Sequence, residues 1–252
     1  MEAPIFALDF AAANVNLGSS YLLVGTDSYL VDKVIETIKK KLKKKENIDT
    51  FIIYGDDVKS SELADILDTY TIFSSAKLVI LKNAEQLNKY ELKTLSSYFS
   101  SPSEIQSLAI ATEKIDLHNE SWKQIKAHST IINCESPRYG GAIRSWLDKS
   151  LKDMNKTMTI KAIEEFINRI ELDYYYAANE LNKLDLLTTG RNRITEEDVM
   201  KSLGTTRTGT LIDFYRALGK KQEKQAIEAL EKMLNANWEF LQIFFQFTKF
   251  YN

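Results

Sequence analysis

Tyr70-Thr71-Ile72-Phe73-Ser74-Ser75-Ala76-Lys77-Leu78-Val79-Ile80-Leu81 joins the end of a helical pattern to an apolar run. The second half, Leu78 to Leu81, is continuous and apolar with polar neighbours. Such a run predicts a strand buried on both faces, as in a parallel sheet. The first half reads differently. Ile72 and Phe73 stand between hydroxyl residues, Thr71 before them and Ser74-Ser75 after. An apolar pair at a helix-to-strand corner can tuck into the core, or it can stand outside and fill a partner's pocket. The preceding stripe, Leu63, Ile66 and Leu67, already serves a core. Extending it by three or four residues reaches Tyr70 and Thr71, which leaves Ile72 and Phe73 near its edge.

Around this stretch, strands and helices alternate. Residues 4–13 are apolar and Ala-rich and predict a short helix. Tyr21-Leu22-Leu23-Val24 predicts a buried strand ended by Gly25, with Asp27 or Ser28 capping the next helix. That helix carries Leu30, Val34, Ile35, Ile38 and Leu42 at helical spacing. Phe51 to Tyr54 predicts the second strand, and Ser60 or Ser61 caps the helix that leads to Ile72-Phe73. Leu78 to Leu81 is the third strand, Tyr90 to Phe99 a helix, Leu108 to Ala111 the fourth strand, Trp122 to Lys126 a short helix, and Ile131-Ile132 the fifth strand. This alternation argues for a parallel α/β sheet.

After Pro137 no strand-like run of four follows, and helical stripes dominate. Ile143, Trp146, Leu147 and Leu151 make one stripe; Ile160, Ile163 and Ile167 belong to a second helix, and Tyr174, Ala178, Leu181 and Leu184 to a third, ended by Gly190. Thr195-Glu196-Glu197-Asp198 starts a helix with an acidic first turn. Gly204 to Gly209 reads as a linker, followed by helices at about 210–218, 222–235 and 238–251. The last, from Trp238 to Phe250, is apolar nearly all round. That requires burial on several sides, by a partner or by chain beyond Asn252.

Composition narrows the function. The chain has 252 residues, 44% hydrophobic and 27% charged, with a net charge of −2. An autonomous nucleic-acid binder would be basic. The lone cysteine, Cys134, excludes an intramolecular disulfide, and with His118 and His128 it makes no metal-ligand cluster. Neither a signal peptide nor an 18-residue apolar run is present, so a cytoplasmic location is expected. No cofactor is expected.

The first strand–Gly–helix unit is where a phosphate-binding loop would sit. Such a loop needs G-x-x-x-x-G-K-[ST], so that amides wrap the phosphates and a lysine neutralises them. Here Gly25-Thr26-Asp27-Ser28-Tyr29-Leu30-Val31 has no second glycine and no lysine, and Asp27 would repel phosphate. The third strand ends in Lys82-Asn83 where an acidic pair would hold magnesium. Both absences argue against ATP hydrolysis. No arginine precedes Arg138, so the sheet domain has no arginine finger to lend; Arg138 and Arg144 lie just beyond it. Lys39-Lys40-Lys41-Leu42-Lys43-Lys44-Lys45 holds six lysines in seven positions. It reads as a solvated helix end favoured by the dipole, or as a patch that touches DNA phosphates without reading sequence.

The layout resembles one family, the delta subunit of the bacterial DNA polymerase III clamp loader. The resemblance is carried by Tyr21-Leu22-Leu23-Val24-Gly25, by Thr71 to Leu81 with its apolar-Phe, basic, apolar order, and by Ile143-Arg144-Ser145-Trp146-Leu147. Glu180-Leu181-Asn182-Lys183-Leu184 and Ile194-Thr195-Glu196-Glu197-Asp198-Val199 continue it. It implies an AAA+-like parallel-sheet α/β domain over 1–137, a helical lid over 138–204, and the start of an all-helical collar over 205–252. It also implies a clamp-binding pair, Ile72 and Phe73, flanked by Thr71 and Ser74. That pair would enter a pocket on the sliding clamp (beta) and help open the ring. Implied partners are the other clamp-loader subunits, delta prime and tau/gamma, through lid and collar, and primer–template DNA within the complex; no membrane is implied. The subunit would be non-catalytic within a DNA-directed DNA polymerase, with ATP hydrolysed by other subunits. Two alternatives are an AAA+-type ATPase with an atypical site and a free-standing helical DNA-binding protein.

Overall fold

The computed structural model describes residues 4–44, 46–69, 74–136, 140–170, 173–203 and 207–235, with 238, 243, 244 and 248 beyond them. The chain divides into two compact units, Met1–Ser136 and Pro137–Asn252.

The first unit is a parallel sheet with helices between its strands. In order, its elements are β1 (Ile5–Phe6), β2 (Ser20–Val24), α1 (Ser28–Lys43), β3 (Ile48–Tyr54), α2 (Ser60–Asp68), β4 (Ala76–Lys82), α3 (Lys89–Tyr98), β5 (Gln106–Thr112), α4 (Glu120–Ala127) and β6 (Thr130–Asn133). The strands lie in the order β1-β6-β2-β5-β4-β3, and every pairing is parallel. Central strands have helices over both faces and must be apolar throughout. β5 is fully buried and β4 is buried up to Lys82, whereas the edge strand β3 leaves Phe51, Ile52 and Tyr54 exposed. Leu22, Val79, Leu81, Leu108 and Ile110 pack with Leu63, Leu67, Leu92, Leu95, Trp122 and Ile125 of α2, α3 and α4. Tyr21, Leu23, Leu78 and Ile80 alternate to the opposite face and are equally buried, as the two-residue period of a strand requires. The buried stripe of α1, Leu30, Val34, Ile35, Ile38 and Leu42, is the one the sequence predicts.

Two local expectations are corrected. Residues 4–13 form no α-helix. Ile5 and Phe6 pair with Ile132 and Asn133 of β6, and short 3-10 turns follow at Ala7–Asp9 and Ala12–Asn14. The open edge of β6 offers backbone partners, and these override the helical preference of alanine. The N-cap of α2 is Lys59, with no side-chain hydrogen bond, rather than Ser60 or Ser61.

The second unit contains α5 (Gly140–Asp153), β7 (Thr157–Met158), α6 (Ile160–Arg169), α7 (Tyr174–Leu187), β8 (Arg193–Ile194), α8 (Glu196–Leu203), α9 (Arg207–Gly219) and α10 (Glu223–Asn235). The two short strands pair in parallel. Ile143, Trp146, Leu147 and Leu151 of α5 are buried as expected, and Trp146 meets the Tyr174 ring at 5.9 Å. On α6 the buried residues are Ala162, Ile163 and Phe166, while Ile160 is 73% exposed. On α7 it is Ala177, not Ala178, that is buried with Tyr174, Leu181 and Leu184. α9 begins at Arg207, inside the stretch read as a linker; Gly204 to Thr206 lie outside the described residues. Of the predicted last helix, Trp238 and Ile243 pack with Phe214 and Met233, whereas Phe244 is exposed. At Trp238 and Ile243, therefore, the chain itself supplies the cover.

Candidate functional site

The chain around the predicted clamp-binding pair is tied down on both sides. Upstream, α2 buries Leu63 and Leu67 in the sheet's core. It ends where the Thr69 N–H donates to the Asp65 carbonyl at 2.9 Å. Downstream, the Ser74 hydroxyl donates to Asp49 Oδ2 at 2.8 Å and the Ser75 hydroxyl to Glu46 Oε2 at 2.7 Å. The Ser75 N–H donates to the Asn47 carbonyl at 3.0 Å. Thr71, Ile72 and Phe73 themselves lie outside the described residues; Ser74 is half-buried.

Lys77 sits at the same corner. Only 3% of it is exposed, although it lies at the start of a strand buried on both faces. Its ammonium donates to the Thr69 carbonyl at 2.9 Å and to the Ile66 carbonyl. It also stands 5.1 Å from the centre of the Phe51 ring. Burial lowers its pKa, and the charges of Asp68 and Asp49 oppose that shift. The sequence pattern gave Lys77 no role. Its one signal was a single cation heading an apolar run whose strand must be covered on both faces.

The lysine run occupies the last turns of α1. Lys40 pairs with Glu36 at 3.0 Å. Lys43 and Lys44 are exposed, and Lys39 and Lys41 are half-buried; Lys45 lies outside the described residues. Cations suit a helix C-terminus. The run leads into Glu46 and Asn47, which anchor Ser75. The lysines and the descending side of the corner thus share one end of the sheet, where β3 and β4 begin.

The position of a nucleotide loop lies at the other end, outside the carboxyl ends of the strands. Gly25 has φ 146°, and a Cβ there would stand 2.2–2.5 Å from backbone atoms of Cys134 and Glu135. Only glycine permits that approach. The Asp27 N–H donates to the Cys134 carbonyl at 3.0 Å. The Asp27 carboxylate, buried, accepts from the Leu30 N–H at 3.0 Å. The anion-attracting end of α1 is therefore capped by a carboxylate of the chain itself. Burial first, and the Asp27 charge second, push the Cys134 thiol up to about 12, which keeps it protonated and inert.

The rest of this position is also internally engaged. Lys82, at the end of β4, binds Asp32 of α1 at 2.7 Å. The Glu85 carboxylate accepts from the Glu113 N–H at 3.0 Å. A cleft of about 240 Å³ remains between Gly25, Ser28, Lys82, Glu85 and Glu113. A triphosphate entering it would face Asp32, Glu85 and Glu113, with Lys82 already bridged to Asp32. Among the described residues no group of three His, Cys, Asp or Glu could hold a metal ion. None of their helices is long and apolar enough to cross a membrane.

In the helical unit, Glu180 is buried and binds Lys183 at 2.6 Å. Arg144 pairs with Asp148 on the exposed side of α5; Arg138 lies outside the described residues. Asp198 accepts from the Thr195 N–H and hydroxyl, each at 2.8 Å, and from the Arg191 guanidinium. Hydrogen bonding to Arg191 holds its carboxyl down to about 2 against the cost of burial.

Fold and position together define a class: a parallel α/β unit whose first strand–Gly–helix turn is occupied by its own side chains, and a helical unit after it in sequence. A model of the family DNA polymerase III, delta subunit, matches residues 21–135. The match runs from β2 past the end of β6 and includes the stretch 70–81, so this part of the chain is similar to a delta subunit. The Bacillus subtilis DNA clamp loader delta protein YqeN is similar in structure, with a TM-score of 0.68 and 18% identity, covering 91% of this chain and 71% of that one. Two Thermotoga maritima RuvB variants each give a TM-score of 0.51 at 16% identity. They cover 80% and 79% of this chain and 73% and 68% of theirs. At these identities the likeness is one of fold. No curated protein matches the chain in sequence.

Proposed function

We propose that this chain is a non-catalytic clamp-loader subunit of the delta type. It binds the sliding clamp through Ile72 and Phe73, flanked by Thr71 and Ser74, and helps to open the ring for loading onto primed DNA. The observation that carries the reading is the family match over residues 21–135, which contains this pair. The internally filled nucleotide position supports a subunit that leaves ATP hydrolysis to others. In the same reading 138–204 is the lid and 205–252 the start of the collar. The separate cluster of Phe214, Met233 and Ile243 is consistent with that division. Lid and collar would meet delta prime and tau/gamma, and Lys39, Lys40, Lys41, Lys43, Lys44 and Lys45 would approach primer–template phosphates inside the assembly.

The test is retention of the 252-residue chain on an immobilised sliding clamp. The proposal expects specific retention that free clamp competes away. A chain that passes through like an unrelated protein of similar charge would overturn it.

A further inference from the structure

We propose that Lys77 is the positioning residue of the α2–β4 corner: its ammonium clasps the end of α2 onto the start of β4, and the proposed clamp contact depends on that clasp. The inference rests on the delta-type reading of Ile72 and Phe73.

The last carbonyls of a helix lack partners within it. Ile66 is one such residue in α2, and Thr69 follows as the cap. Both carbonyls accept from Lys77, which lies eight residues beyond Thr69 on a different element. The strand beneath Lys77 is fixed by its ladder, with Asp49 on one side and Gln106 on the other. Both described ends of the corner therefore converge on one side chain. Burying a lysine is costly unless its charge is met. Here two carbonyls, the face of the Phe51 ring and the nearby Asp68 and Asp49 meet it. A methionine or leucine would fill the same space in a β-strand core at lower cost, so the cation contributes something besides packing. A contact presented from fixed ends loses less conformational freedom on binding than one on a free loop.

Lys156 provides the matched comparison. It caps the end of α7, donating to the Thr188 carbonyl at 2.8 Å and the Arg191 carbonyl at 3.0 Å and pairing with Asp185 at 3.1 Å. It does so in the helical unit, away from the corner in sequence.

The experiment is a double-mutant cycle on clamp affinity, using the whole chain well below its melting temperature. Lys77→Met is expected to weaken binding about tenfold, or ~1.4 kcal/mol. Lys77→Arg, which keeps a donor, should recover most of that loss, and Lys156→Met should leave affinity unchanged. Added to Ile72→Ser with Phe73→Ser, Lys77→Met should cost nothing further, because the side chains it positions are already gone. Amide exchange should speed up at residues 69–75 and stay as it was in β5. If Lys77→Met does not fold, Lys77→Gln takes its place in the cycle. Loss of fold in both variants, additive losses, faster exchange throughout β4 and β5, or an equal effect of Lys156→Met would each make Lys77 a core-stability residue and overturn the proposal. If Ile72→Ser with Phe73→Ser binds normally, it is the delta-type contact that fails, whatever Lys77 does.

Discussion

Asp27 and Asp198 both place a carboxylate at the start of a helix, with different consequences. Asp27 accepts from the Leu30 N–H and sets the charge at the nucleotide position. Asp198, three residues after Thr195, reaches back to that residue and outward to Arg191. Its folded pKa lies near 2, below the 3.8 of the free group. A depressed carboxylate stabilises the fold above its unfolded pKa, and that contribution is lost as pH falls through the folded value. The window is therefore about pH 4 down to 2. Asp198→Asn should lower the stability of the helical unit at pH 7 by about 1–2 kcal/mol, after allowing for the half-exposed Arg191. It should also flatten this unit's pH dependence between about 4 and 2. Urea unfolding followed by fluorescence, with Trp122→Phe so that Trp146 and Trp238 report, measures both effects. Unchanged stability at pH 7 would contradict the assignment. Asp27 was readable in the sequence because a cap is a local matter: a side chain, a turn and a helix N-terminus within four residues. Lys77 was not, because its partners come from α2, eight and eleven residues away, and only packing brings them together.

At the scale of elements, what could be read followed how local the cause was. The central strands announced themselves as apolar runs because both of their faces are covered. β1 did not: two residues carry no period, and its existence depends on the open edge of β6. Ile160, Ile163 and Ile167 share α6 as their spacing suggests, but Ile160, in the first turn, points outward without breaking the stripe formed by Ile163 and Phe166. The end of α1 has the opposite character. Its lysines are plain in the sequence, but their use is not, because solvated and phosphate-bound lysines have the same local chemistry. Replacing Lys39, Lys40, Lys41 and Lys43 by Gln should barely affect folding, since the Lys40–Glu36 pair is exposed and such pairs contribute little. If these lysines meet DNA, the salt dependence of DNA binding by the assembled loader should fall, whatever the DNA sequence. The slope should drop by up to about 0.9 for each phosphate that is no longer neutralised. Loading and salt slope both unchanged would leave them as a solvated helix end.

Across the α/β unit, the two ends of the sheet differ in what occupies them. At the carboxyl ends of the strands, Asp27, Lys82 and Glu85 are bonded within the chain, and acidic groups line what space remains. Equilibrium dialysis with ATP and magnesium should therefore show no binding beyond that of a generic protein surface; a dissociation constant in the low micromolar range would contradict this. At the opposite end Thr69 is bonded to Lys77, Ser74 to Asp49 and Ser75 to Glu46.

The central claim is that Ile72 and Phe73 of this corner are an interface anchor and not core. Leu63 and Leu67 of α2 are buried in the sheet's core, and each apolar side chain buried in a partner pocket contributes on the order of 1.5–3 kcal/mol. The most direct measurement is clamp affinity and melting temperature, side by side, for Ile72→Ser with Phe73→Ser. An anchoring pair predicts a fall in affinity of at least about 30-fold, or ~2 kcal/mol, with a melting temperature shifted by less than about 2 °C. Normal clamp binding, or an α/β unit that unfolds, would contradict it.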